Sequence, residues 1–320
     1  MKTIADAQEI VQDNLFPISY NNSMGTTLVR PTPSVKNPSV IVGLGAPIPS
    51  VKRPVSSKVE SPTERVINIG DQRITLHQKD CLKFLSDLPS ESLDVIVTDP
   101  AYSGMNNRLN LGKGRIVGKY LDKGKDTGKW FSEFQDTTEN YKAFLSKCKN
   151  ALKKNGHIYI MFDSFSLLSL APIVRQYFDV KNIIVWDKVN VGMGHYYRRR
   201  HEFILFATNG NNRNIKHRAF PDIWRIKRIH QSHYPTQKPV EIFDIMLSAS
   251  AKPGFTVCDP FMGSASAAIA AIKHGCNFIG SDISPKSVTL SAKRIETFAR
   301  DKVDLLQANS CVPQGEKVFW

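Results

Sequence analysis

From Val66 onward, short runs of β-branched apolar residues alternate with segments whose apolar positions recur at three- and four-residue spacing. That alternation predicts an α/β domain with a mainly parallel sheet and helices on both faces. In the first clear unit Leu82, Leu85 and Leu88 fall at helical spacing, and Asp94-Val95-Ile96-Val97-Thr98 reads as a buried strand that stops at Asp99-Pro100. The next helix carries Tyr141, Phe144, Leu145, Cys148 and Leu152, with Asn155-Gly156 expected to end it before a strand from His157 to Phe162. Two further strands are legible, Val180 to Trp186 and Glu202 to Thr208. A helix from Pro239 to Ala251 then precedes a strand, a tight turn and a helix running to about His274, followed by a second strand, Phe278 to Asp282.

Other stretches lack this alternation. Residues 1–64 are rich in Pro, Ser and Val beyond Asn21, and read as a largely extended arm whose apolar patch, Val40 to Leu44, is suited to docking. Within the remaining domain, residues 65–320, two interruptions near 103–136 and 187–231 are rich in Arg and Lys. The first includes Lys113, Arg115 and Lys119; the second includes Arg198, Arg199 and Arg200. Lysine-rich loops can serve solubility alone, but aromatic residues are interleaved here and both loops follow sheet strands, so phosphate contact is the expectation.

Charge points the same way. The 43 Lys and Arg outweigh 29 Asp and Glu, giving +14 over 320 residues, a field that draws in a polyanion. The five cysteines, Cys81, Cys148, Cys258, Cys276 and Cys311, are scattered and form no C-x-x-C pair, so neither a disulfide framework nor a metal site is expected. No apolar run is long enough to span a membrane, and Met1 to Tyr20 lacks the pattern of a signal peptide, so a cytoplasmic protein without a membrane partner is expected.

Two segments carry chemistry. In Thr256-Val257-Cys258-Asp259-Pro260-Phe261-Met262-Gly263-Ser264, small residues follow a strand where a nucleoside passes close to backbone, and Asp282 ends the next strand where a carboxylate can accept both ribose hydroxyls. The turn lacks the G-x-G-x-x-G spacing that presents amides to a pyrophosphate, so a ligand without phosphates is favoured. In Asp99-Pro100-Ala101-Tyr102, Asp99 and the Pro100 carbonyl offer two acceptors to an amino group, and Tyr102 offers a flat face to a base. An isolated Asp-Pro is also a common strand-ending turn.

Together these residues resemble the amino-group DNA methyltransferases, whose catalytic tetrapeptide is Asp/Asn/Ser-Pro-Pro-Tyr/Phe, over roughly Val66 to Phe298. His233-Tyr234-Pro235-Thr236-Gln237-Lys238-Pro239 followed by Asp259-Pro260-Phe261-Met262-Gly263-Ser264 resembles the cofactor half of the permuted β class, in which the tetrapeptide comes first. Trp186-Asp187-Lys188 and the run from His201 to Leu205 lie in the expected order. The resemblance implies a Rossmann-like, circularly permuted methyltransferase fold. It implies S-adenosylmethionine as methyl donor, S-adenosylhomocysteine as product and double-stranded DNA as substrate, in an enzyme of bacterial or phage restriction-modification type. By it, Asp259, Phe261, Gly263 and Ser264 surround the methionine part of the cofactor, Asp282 holds the ribose, Asp80 and Cys81 contact the adenine, and Thr236 and Lys238 line the methionine tail. Asp99, Pro100 and Tyr102 are the catalytic set.

Two positions depart from the family pattern. Ala101 replaces the second proline of the tetrapeptide, and Ala265 stands where a second glycine is usual, placing a Cβ in a tight loop. The expected reaction is N6-adenine methylation of a flipped-out base, since cytosine-N4 enzymes of the family mostly carry serine in place of Asp99. N4 methylation of cytosine, an RNA or protein amine as acceptor, and a catalytically weak DNA-binding protein on the same fold are the alternatives. No cysteine lies in the Pro-Cys setting of a C5-cytosine enzyme. Recognition sequence, a homodimer and a partner nuclease are left open.

Overall fold

The computed structural model describes residues 63–100, 134, 137–192, 196–210, 213–229, 234 and 236–306. The arm, Tyr102, the first basic stretch with Lys113, Arg115 and Lys119, and Cys311 lie outside the described residues.

Among the described residues, fifteen elements build one layered domain in the order β1 (Glu64–Ile69), β2 (Gln72–Gln78), α1 (Cys81–Asp87), β3 (Leu93–Thr98), α2 (Thr138–Ala151), β4 (Leu152–Phe162), α3 (Ser164–Val174), β5 (Asp179–Asp187), β6 (His201–Thr208), β7 (Ile223–Arg225), α4 (Val240–Ser250), β8 (Thr256–Asp259), α5 (Ser266–Lys273), β9 (Asn277–Asp282) and α6 (Pro285–Asp301). The strands form a single sheet ordered β1-β2-β9-β8-β3-β4-β6-β5-β7. The pairs β1/β2, β4/β6 and β5/β6 are antiparallel, and the other five are parallel.

Side-chain alternation explains the layering. On β3, Val95 and Val97 enter one core with Met161 and Phe206, covered by α4, α5 and α6. Ile96 points the other way, into a core with Ile158, Ile160 and Leu205 that α1, α2 and α3 cover. A strand buried on both faces has no need of polar alternation, which is why β3 is apolar at four of its six positions. Among the described residues no helix is long and apolar enough to cross a membrane.

The structure corrects one boundary. Helix α2 ends at Ala151, capped by Leu152 in an extended conformation, and β4 begins at once. Asn155, at φ +65°, and Gly156 therefore lie within β4 instead of closing the helix. Gly156 is required by close approach: a Cβ there would come within 2.5 Å of Leu152 Cγ and 2.9 Å of the Lys153 carbonyl oxygen. Helix α3 and the short edge strand β7 have no strong signal in the sequence; α6 has one, since Ser284 caps it, Pro285 opens it and its apolar positions share one face. In α3, Pro172 breaks the helical pattern near its end. The second basic stretch is in part sheet, since it contains β6 and β7.

We expect Gly156→Ala to lower stability by about 1–3 kcal/mol, because a crowded core must shift to admit the methyl group. A urea titration reads this as a lower midpoint at unchanged slope, and an unaltered midpoint would contradict the close approach.

Candidate active site

Strands β2, β9, β8, β3 and β4 run parallel, so their carboxyl ends share one edge of the sheet. Because β6 pairs antiparallel with β4 and β5 with β6, the connection from Asp187 to His201 emerges at this same edge. The sequence places an aspartate at or just past the end of β2 (Asp80), β9 (Asp282), β8 (Asp259), β3 (Asp99), β4 (Asp163) and β5 (Asp187). Topology thus gathers the candidates Asp80, Asp99, Asp259 and Asp282 along four adjacent strand ends.

Asp259 is buried, and its Oδ1 accepts the Phe261 amide at 3.0 Å. Burial, with help from Asp99 and Asp282, holds its carboxyl well above the usual range. Asp282 accepts the Gly263 amide at 3.1 Å on Oδ2 and the Ser284 amide at 2.8 Å on Oδ1, tying β9 to the turn after β8. Burial pushes its carboxyl up to about 6 against the pull of these amides. Gly263 has φ +49°, and a Cβ there would stand 3.3 Å from the Tyr234 hydroxyl, so the turn is shaped for a residue without a side chain. Phe261 packs edge-on to Phe134, 5.4 Å between ring centres. Asp80 caps α1 by accepting the Leu82 and Lys83 amides, and Cys81 beside it is buried, its thiol pushed up to about 12 by burial and by Asp80.

The loop after Gly263 is held from behind. Arg294, fully buried on α6, donates to the Ser264 carbonyl at 2.6 Å and to Ser266 Oγ at 3.1 Å, while Asp304 receives its other nitrogens at 2.8 and 2.7 Å. Ser291 Oγ donates to the Gly263 carbonyl at 2.8 Å. Ala265 adopts φ +61°, ψ +34°, the left-handed region that the usual glycine would occupy without strain.

Thr236 is exposed at φ +57°, just before α4. Lys238 turns inward instead: its Nζ donates to Asp99 Oδ2 and lies 3.7 Å from Glu202 Oε2, while Lys188 Nζ pairs with Glu202 Oε1 at 3.0 Å. Burial and Glu202 raise the Asp99 carboxyl while Lys238 opposes them. Pro100 is buried. The three arginines of the β5–β6 connection have separate partners. Arg200 forms a two-pronged pair with Asp187 at 2.6 and 2.5 Å, Arg198 Nε donates to the Gly192 carbonyl at 2.7 Å, and Arg199 lies 5.1 Å over the Phe165 ring. Beside them Tyr196 and Tyr197 are fully exposed.

Sequence reasoning gave Glu202 only a place in motif order and passed over Arg294 and Ser291. The Glu202 signal was available, as a charged residue opening an otherwise apolar strand. Arg294 had none, because an arginine in an amphipathic helix reads as solvent-facing until the packing is known.

The DNA methylase family profile matches residues 93–293, more than half of the chain. The chain belongs to this family. The methylase is 29% identical over 246 residues to the Type II methyltransferase M2.DpnII of Streptococcus pneumoniae, covering 70% of this chain and 90% of that protein. It is 26% identical over 264 residues to the DNA adenine methyltransferase YhdJ of Escherichia coli K12, covering 71% and 84%. Among solved structures, a DNA modification methylase of Thermus thermophilus superposes with a TM-score of 0.51 at 19% identity, covering 71% of the methylase and 96% of that chain. The cytosine-N4-specific PvuII DNA methyltransferase superposes at 0.50 with 12% identity, covering 68% and 85%. These likenesses show a shared fold.

The Arg294 pair generates a stability test. Arg294→Met removes one partner of a buried ion pair and strands Asp304, and we expect a loss of about 3–5 kcal/mol in chemical unfolding. Adding Asp304→Leu should recover part of that loss, and a loss below about 1 kcal/mol in the single variant would contradict the structural role of the pair.

Proposed function

We propose that this methylase transfers the methyl group of S-adenosylmethionine to N6 of adenine in DNA. The observation that carries the reading is the placement of Asp99-Pro100 at the end of central strand β3, beside the buried Asp259 and the glycine turn of β8. The aspartate at the head of the tetrapeptide and the naming of YhdJ as an adenine methyltransferase favour adenine over cytosine.

The chemistry of these strand ends fits the donor. Asp282 brings negative charge above about pH 6, Asp259 adds a buried acceptor, the Phe261 and Gly263 amides are already engaged, and Gly263 leaves room for close backbone approach. Such a lining suits a ligand with an ammonium, a cationic sulfur and ribose hydroxyls, and would repel a pyrophosphate. Asp282 would accept the ribose hydroxyls, Asp259, Phe261, Gly263 and Ser264 would surround the methionine part with the segment that carries Thr236 and Lys238 at its tail, and Asp80 and Cys81 would meet the adenine. When bound, S-adenosylmethionine supplies an electrophilic methyl group.

The chain's task is to make a poor nucleophile attack it. An exocyclic amine has its lone pair delocalised into the ring. Asp99 and the Pro100 carbonyl, accepting hydrogen bonds from its two N–H groups, draw that pair back onto nitrogen and stabilise the charge that develops there. A covalent route has no support from the described cysteines: burial raises the thiols of Cys81, Cys148, Cys258 and Cys276, so none offers a thiolate. The amine is inaccessible within a stacked duplex, so the base is flipped out, and Tyr102 is assigned to stack on it. Lys113, Arg115 and Lys119, with Arg198, Arg199 and Arg200, are assigned to the phosphates.

Incubation with unmethylated DNA, followed by digestion and mass analysis of the nucleosides, should yield N6-methyladenine. Asp99→Ala should abolish it without loss of folding, and turnover at the wild-type rate in that variant would exclude the assigned role. A second expectation concerns pH. Asp282 is ionised only above about 6. Its acceptor strength, and with it S-adenosylmethionine affinity, should rise as pH increases through that value. Calorimetric titrations across this range should show the rise in the wild type and its loss in Asp282→Asn; identical profiles would remove the ribose assignment.

A further inference from the structure

Alternating charges run from the base of the β5–β6 connection to the end of β3. Lys188, the first residue past β5, meets Glu202 on β6; Glu202 meets Lys238, which precedes α4; Lys238 meets Asp99. All four side chains are largely withdrawn from solvent, with 14, 27, 15 and 28% of their respective surfaces exposed. A buried ammonium is tolerated only when paired, and a lysine with three donors can serve two carboxylates at once. Among the described residues, Asp99 makes no other hydrogen bond than the one from Lys238 to Oδ2. Among those residues Oδ1 is the oxygen left for an incoming amine.

We propose that Lys238 and Glu202 are positioning residues for Asp99: Lys238 fixes which carboxylate oxygen faces the target amine, and Glu202, anchored by Lys188, holds Lys238 between the two acids. The inference rests on the assignment of Asp99 as acceptor of the target amine. Glu202 keeps Lys238 from neutralising Asp99 fully, so Asp99 retains acceptor strength while its orientation is fixed. The backbone contributes to the same clamp, since Ser266 Oγ donates to the Lys238 carbonyl at 2.8 Å. The link also connects the site to the connection that carries Arg198, Arg199 and Arg200.

The titratable groups facing Asp99 come from three elements besides its own: Lys238 and Tyr234 before α4, Glu202 on β6, and Asp259 at the end of β8. Tyr234 stays protonated, its hydroxyl raised by burial. Removing Glu202's charge and removing Lys238's charge must therefore shift Asp99 in opposite directions.

The test is the pH profile of kcat for methyl transfer from radiolabelled S-adenosylmethionine to unmethylated genomic DNA, for the wild type, Glu202→Gln, Lys238→Met and Lys238→Arg. Activity requires ionised Asp99 and falls on the acid side. In Glu202→Gln a negative neighbour is lost, so the acid limb should move to lower pH; in Lys238→Met a positive one is lost, so it should move to higher pH. Lys238→Arg, which keeps the charge, should return the limb towards the wild type. Misorientation of Asp99 should lower kcat by about 10- to 100-fold in Lys238→Met. Glu202→Gln should leave calorimetric affinity for S-adenosylmethionine unchanged. Limbs that stay in place or move the same way, or a Glu202→Gln defect confined to cofactor affinity, would overturn the proposal. Asp99→Ala separates the two readings. If it is inactive while the limbs do not move, only the positioning role falls; if it turns over normally, the amine-acceptor reading falls and this inference with it.

Discussion

A carboxylate withdrawn from water must find donors nearby, and at the carboxyl edge of this sheet five aspartates find them in the same way. Asp80, Asp163, Asp187, Asp259 and Asp282 each accept the amide two residues ahead, from Leu82, Phe165, Val189, Phe261 and Ser284, at 2.8–3.0 Å. Each bond turns the chain out of its strand and fixes an acid where the ladder stops. The result is a rim of oriented carboxyl groups, and the rest of the site is a response to it: the Gly263 amide on Asp282, the ammonium of Lys238 on Asp99, the guanidinium of Arg200 on Asp187. A ligand with positive centres and hydroxyl donors suits that arrangement.

Much of this was legible in the residues. The apolar run Val95-Ile96-Val97 stopped by Asp99-Pro100, and the Asp259-to-Ser264 turn followed by Asp282, could be read because strand termination and glycine placement are local properties. The glycine-like backbone at Ala265 was foreseeable for the same reason. What could not be read depends on contacts distant in sequence. Nothing in His201-Glu202-Phe203 says that Glu202 meets a lysine 36 positions later. Arg294 looks like any polar residue of an amphipathic helix until α6 is laid against the Ser264 loop. The end of α2 was misplaced because Asn155-Gly156 is a sound helix stop that the structure uses inside a strand.

Fold and chemistry carry different amounts of information here. The superposition on a cytosine-N4 enzyme shows that the sheet does not select the base. Under the proposed reading, selection falls to what surrounds the amine, beginning with the acid at the head of the tetrapeptide. At Ala265 the left-handed backbone costs about 1–2 kcal/mol relative to an unstrained residue. The methyl group is fully buried and recovers part of that, on the order of 0.8 kcal/mol. A residue can thus persist in a conformation that disfavours it when its side chain fills space the loop would otherwise leave empty.

The pairing of β2 with β9 places residues from opposite ends of the domain side by side, with the Arg73 amide donating to the Asn277 side chain across 204 positions of chain. Closing so long a loop is entropically slow, and contacts of this separation delay folding more than they weaken the folded state. On the ribosome the β1–β2 hairpin emerges long before its partner strand exists. Until β9 is made, β2 lacks the strand that covers one of its edges in the folded sheet, and an open strand edge is a site for pairing with another chain.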